Sequence, residues 1–157
     1  MRWIWIDRFI EFEPGESAVA VKNVSLAEEH LHDHWESFPV MPHSLIIEGV
    51  AQTSGLLVGH ANNFEHDVVL AKVSKAVFDG IVVPGDRLEY HARIENLSEQ
   101  AAVTENKVTI NGEPFADINI MFSHANNAME QLDLPDKFVF TGSFRRLVES
   151  FLEEKNG

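Results

Sequence analysis

PHSLIIEGVAQTSGLLVGH, residues 42–60, is the stretch on which the fold turns. Wound at 3.6 residues per turn, Leu45, Ile46, Ile47, Val50, Ala51, Leu56, Leu57 and Val58 point in nearly all directions. A helix that is apolar all round is a buried helix. The spacing predicts a helix from Ser44 to about His60, with Pro42 in a first turn that tolerates proline. One line of polar and small residues interrupts it: Ser44, Glu48, Gln52, Gly55 and Gly59. Such a stripe faces something other than packed side chains: a ligand channel, a water-filled crevice or a subunit contact. The plainer alternative is that Glu48 accepts hydrogen bonds from a neighbouring strand while the glycines let the sheet approach.

Upstream, the aromatic and β-branched run Trp3 to Phe12, the turn Glu13-Pro14-Gly15-Glu16 and Ala18 to Val21 read as a β-hairpin. Ser25 to His30 reads as one short helical turn, and Leu31 to Met41, which lacks a usable period, as a loop. Downstream, Val68–Phe78, Arg87–Asn96, Ala101–Ile110 and Phe115–His124 read as four strands, punctuated by Val83-Pro84-Gly85-Asp86 and Asn111-Gly112. Asn126 to Asp136 is a polar connection, and Ser143 to Glu153 an amphipathic tail helix carrying Phe144, Leu147, Val148 and Phe151. One apolar helix and about six strands make an α+β domain over residues 1–157, a curved antiparallel sheet wrapped round a central helix. A single sheet leaves edges for a second copy to cover, so a dimer is expected.

Composition narrows the function. The formal net charge of −13 argues against a nucleic-acid binder and against docking on an anionic membrane. With no cysteine, disulfides, thiolate catalysis and cysteine-ligated zinc are excluded. No run reaches the ~18 apolar residues of a membrane span, and MRWIWIDRFI is too short for a signal-peptide core. A cytoplasmic protein is the expectation. His30, His32, His34 and His43 cluster in sequence but lack the helical spacing of a metalloprotease, so no metal site is expected. His60, His66, His91 and His124 have no motif around them, and Ser44, Ser54 and Ser123 lack a nucleophile elbow.

Chemistry concentrates on Glu48. It lies roughly 9 Å along the helix from Pro42, a distance the loop carrying His34, from the same chain or a partner, can cover. A carboxyl group facing an imidazole is an acid–base pair with separated jobs. At the helix start, N–H groups around His43 and Ser44 point outward with the positive end of the dipole, where an oxyanion can sit.

HWESFPVMPHSLIIEGVAQ, residues 34–52, resembles the signature of the β-hydroxyacyl-acyl-carrier-protein dehydratases of fatty-acid synthesis. That signature runs His-Phe-Pro-Gly, one variable residue, Pro, an aliphatic, Met-Pro-Gly, then a helix with Glu and a nearby Ala-Gln. Ile6-Asp7-Arg8, Val21-Lys22-Asn23-Val24 and Val82-Val83-Pro84-Gly85-Asp86-Arg87-Leu88 match in the same order. The resemblance implies a hotdog fold, no cofactor, and dimers or trimers of dimers with sites at the dimer interface. It implies that His34 of one subunit takes the α-proton of a 3-hydroxyacyl thioester, carried by acyl carrier protein or coenzyme A. Glu48 of the other would help the β-hydroxyl leave, and the backbone N–H of His43 would polarise the thioester carbonyl. Ser44, Gln52, Phe78 and Tyr90 are the candidates for lining the acyl site, with core packing the competing role for Phe78 and Tyr90. Two departures stand out: Glu36-Ser37 replaces Pro-Gly, and His43 replaces glycine, which adds strain if φ there is positive. A hotdog thioesterase and a thioester-binding homologue without turnover are the alternative functions.

Overall fold

A computed structural model describes residues 3–33, 35, 37–125 and 142–156. Six strands form one antiparallel sheet in the order β1-β2-β4-β5-β6-β3. They are β1 (Arg8–Glu13), β2 (Ser17–Asn23), β3 (Asp67–Phe78), β4 (Arg87–Leu97), β5 (Ala101–Ile110) and β6 (Glu113–Ala125). The helices are α1 (His30–Asp33), α2 (His43–Ala61) and α3 (Gly142–Asn156). The sheet wraps α2, which lies against β2 through β6 and buries Ile46, Val50, Leu56, Leu57 and Val58. This is the hotdog arrangement. Strand alternation supplies the other half of the core: Leu88, Tyr90 and Ala92 of β4, Ala102 and Val108 of β5, and Ile118, Ile120 and Phe122 of β6 all face inward.

Local chemistry explains several boundaries. Pro42 is the residue immediately before α2, with φ −59° and ψ 139°, and its carbonyl accepts from Leu45 N at 3.0 Å. Asn111 (φ 52°) and Gly112 (φ 91°) both take the left-handed conformation of a tight hairpin between β5 and β6. Asn111 also accepts from Arg87 N and donates to Asp86, tying this hairpin to the start of β4.

Two expectations need correction. Residues 3–7 precede β1 rather than extending it, because Trp3 and Trp5 bond across to α2, while Asp7 N still donates to Val21 O of β2 at 2.7 Å. Residues 25–28 form a turn, not a helical turn. The Glu28 carboxylate accepts from Ser25 N at 2.8 Å and from Lys22 Nζ at 2.8 Å, and the short helix α1 starts only at His30, the last residue of the expected helical turn, and runs into residues read as loop. The polar connection at 126–136 lies outside the described residues.

The two sheet edges differ. Beside β1 lies α3, whose Lys155 reaches Glu13 at 3.7 Å, while Phe144, Leu147, Val148 and Phe151 pack on the core. Strand β3 is the other edge; Leu70, Ala71, Ala76 and Val77 along it are exposed. At the far end of α2, His60 sits between the rings of Phe12 and Phe64, at centroid distances of 5.2 and 6.0 Å. Burial lowers its pKa from the ordinary 6.5. Below pH 6.5 the unfolded chain therefore binds this proton before the folded one, and folding stability falls as pH drops through that window. The contribution is complete above pH 6.5. Urea titrations at pH 8 and pH 5.5 are expected to show a smaller acid loss of stability for His60→Phe than for the parent chain.

Candidate active site

The polar stripe of α2 faces the N-terminal segment. Glu48 is half-buried, and its two side-chain hydrogen bonds among the described residues fall on Oε1: Gln52 Nε2 donates at 2.9 Å and the Trp3 indole Nε1–H at 3.1 Å. Gln52 is held in turn, since its Oε1 accepts from Trp5 N at 2.8 Å and its Nε2 also donates to Trp3 O at 3.2 Å. The side chain of Gln52 is thus committed to two backbone groups and to Glu48. Ser44, one turn earlier, is exposed.

Among the described residues no side chain caps the start of α2, and no acidic residue occupies its first turn, so the leading backbone N–H groups keep their positive character. The His43 side chain turns to the sheet. Its ring stacks on Phe78 at 4.1 Å with 7° between planes, and Nε2 lies 3.0 Å from Gly80 O. A carbonyl can only accept, so Nε2 carries a proton and donates in this contact. The positive φ falls elsewhere: Ser37, which stands where the resemblance has glycine, has φ 67°, whereas His43 is helical. The strain of a non-glycine left-handed residue therefore sits in the loop, not at the helix entrance. His34 and Glu36 lie outside the described residues.

Tyr90 of β4 packs against α2 at Gly49, the residue next to Glu48. Its ring lies against Gly49, and its hydroxyl is buried with no hydrogen-bond partner among the described residues. Burial, then the nearby Asp7 and Glu28 carboxylates, push its pKa far above the usual tyrosine range, so the phenol stays protonated. Phe78 and Tyr90 thus pack against α2 at His43 and Gly49, and Gln52 lies on α2 one turn after Glu48.

The other matching segments meet at one corner. Asp7 Oδ2 accepts from Asn23 N and Nδ2 at 2.7 and 2.9 Å, Val24 N donates to Asp86 O at 2.9 Å, and Gly85 N donates to Val24 O at 2.8 Å. Lys22 Nζ lies 2.8 Å from Glu28. Their job is to lock the β2 end to the β4 start, which fixes the register of the strand behind Glu48. His32 Nε2 donates to Leu26 O, and His124 takes a hydrogen bond from Asn62 while giving one to Glu99 O. Among the described residues, no group of three or more His, Cys, Asp or Glu side chains converges as a metal site.

A long helix wrapped by an antiparallel sheet, with a carboxylate in the helix and an uncapped N-terminus before it, defines a hotdog protein. Solved structures agree on the fold. The chain resembles the dehydratase heterocomplex ApeI:P from Xenorhabdus doucetiae with a TM-score of 0.69 at 14% identity, over 84% of this chain and 91% of that one. It also resembles smu.793 from Streptococcus mutans bound to acetyl CoA, with a TM-score of 0.62 at 17% identity over 76% and 88% of the two chains. Within that class, residues 3–119 match the FabA-like domain, and the chain belongs to this family. The 3-hydroxyacyl-[acyl-carrier-protein] dehydratase FabZ of Listeria innocua is 34% identical over 122 residues, 77% of this chain and 85% of the relative. Its namesake in Latilactobacillus sakei is 35% identical over 74% of this chain and 84% of that protein. No described helix is long and apolar enough to cross a membrane.

Proposed function

We propose that this protein is a 3-hydroxyacyl-thioester dehydratase of fatty-acid synthesis or a related acyl-chain assembly, with Glu48 and His34 as its acid–base pair. The observation that carries the reading is the state of Glu48: fixed through Oε1 by two donors, with Oε2 taking no hydrogen bond among the described residues. The His34 imidazole removes the α-proton, and the electron pair of that C–H bond becomes the new Cα–Cβ bond order. The β-hydroxyl leaves as water, taking its proton at Oε2 of Glu48. Charge that builds on the thioester oxygen during proton removal is stabilised by the N–H of His43 and the positive end of α2. An acyl-carrier-protein thioester is the proposed substrate, and a trans-2-enoyl thioester the product.

The exposed β3 edge supports a dimer. Val77 there is 57% exposed beside exposed Ala76, and an edge strand with apolar residues that is unpaired on one side among the described residues is a template for a second copy; Lys72 and Lys75 lie further back along the same strand. A lysine on such an edge opposes pairing. Val77→Lys is therefore expected to shift sedimentation from dimer to monomer and, because the pair is completed across the interface, to abolish turnover.

The decisive experiment incubates the protein with 3-hydroxyacyl thioesters of acyl carrier protein and of coenzyme A, following enoyl absorbance and free thiol together. Enoyl product without thiol release supports dehydration. Thiol release without enoyl product would instead identify a thioesterase, and binding with neither product a homologue without turnover.

A further inference from the structure

We propose that Trp3 is a positioning residue for Glu48, its indole N–H fixing Oε1 so that Oε2 is presented to the substrate; this rests on the dehydratase reading above. The contact joins residues 45 positions apart in sequence. Trp3 is 57% exposed, so burial of its ring gives little reason for a tryptophan there. The N–H gives one: at 3.1 Å it donates to the same carboxylate oxygen as Gln52.

The donor is itself held at several points. Trp3 O accepts from Gln52 Nε2 at 3.2 Å, and Trp5 N donates to Gln52 Oε1 at 2.8 Å. The Trp3 ring meets Trp5 edge-on at 5.4 Å and 86°, and Trp5, itself buried, meets His30 edge-on at 5.0 Å. Residues 3–5 thus clamp one face of α2 through three hydrogen bonds to Glu48 and Gln52. A glutamate side chain has three rotatable bonds, and an acid that must meet a leaving hydroxyl gains from being fixed before the substrate arrives. Two donors on Oε1 fix the carboxyl plane. They also decide which oxygen meets the substrate, because Oε1 is already engaged.

The test separates donor from ring. Trp3→Phe keeps an aromatic ring and removes the N–H; kcat is expected to fall about 10-fold with KM and melting temperature nearly unchanged. Trp3→Gln, which restores an N–H donor without the indole, should recover most of that kcat, and Trp3→Leu should not. A role in folding alone would move the melting temperature and leave the kcat of the folded fraction intact. An arm independent of turnover is the proton–nitrogen NMR signal of the Trp3 indole, assigned by its loss in Trp3→Phe. Glu48→Ala should move that signal upfield and speed its exchange with water. Parent-like kcat in Trp3→Phe, or an indole signal indifferent to Glu48→Ala, would overturn the proposal. Absence of dehydration in the parent chain would sink the functional reading, while the indole signal would still decide whether the clamp exists.

Discussion

Glu48→Gln is expected to lower dehydration of 3-hydroxyacyl thioesters by at least about 100-fold while leaving the fold intact. The amide oxygen of glutamine can accept from Trp3 and Gln52 where Oε1 of Glu48 now does, so the contacts at 3.1 and 2.9 Å persist. What the variant lacks is an exchangeable acid proton for the departing hydroxyl. The loss should therefore appear in kcat rather than KM, since the proposed mechanism gives the thioester oxygen to backbone groups at His43 and not to this side chain. Steady-state kinetics beside a thermal melt would check it: an unchanged melting temperature with parent-like kcat would remove Glu48 from the chemistry. His34→Ala should cost a similar factor. The double variant should be little worse than either single one, because two groups acting on one elimination step fail together.

The sequence makes α2 legible because its apolar residues surround the axis, and a period that leaves no polar face has only one home, the core. The Asn111-Gly112 hairpin is legible for a local reason: both residues tolerate positive φ, and both adopt it. The stripe Ser44-Glu48-Gln52 is legible as a departure from that pattern, but not what it faces. The partners of Glu48 and Gln52 are Trp3 and Trp5, reached only after the chain has folded back on itself. A run of aromatic and β-branched residues at 3–12 reads as strand throughout, and nothing local shows that its first part leaves the sheet to grip the helix. The entrance loop shows the same limit. As a matter of backbone strain, replacing glycine is costly where φ is positive; the sequence names two positions without glycine, and the backbone places the left-handed residue at Ser37. Net charge, by contrast, argues against whole function classes without any knowledge of contacts, because it acts through the field of the entire chain.

Gly49→Ala is expected to destabilise the protein by about 3 kcal/mol, lowering the melting temperature by roughly 10 °C. On helix propensity alone the sign would be opposite, since alanine is favoured over glycine in a helix interior by about 1 kcal/mol. The neighbour reverses it. A methyl group at position 49 would lie 2.6 Å from Cζ and the hydroxyl oxygen of Tyr90 and 2.8 Å from Cε2. The ring cannot yield: Tyr90 is 1% exposed and lies within β4, paired to Ala20 on one side and Val108 on the other. Either the helix lifts from the sheet, opening voids around Ile46 and Val50, or β4 bends outward. Tyr90→Phe should not rescue the variant, because Cζ and Cε2 remain; Tyr90→Leu, which removes the far half of the ring, should recover a measurable part of the loss. Calorimetry on the four proteins checks this, and a Gly49→Ala variant as stable as the parent would mean that helix and sheet are further apart than described. Glu48 is the adjacent residue, so a helix displaced by the new methyl carries the carboxylate away from Trp3. Whatever fraction of the variant stays folded should also dehydrate more slowly, a loss in kcat that Tyr90→Leu would restore together with stability.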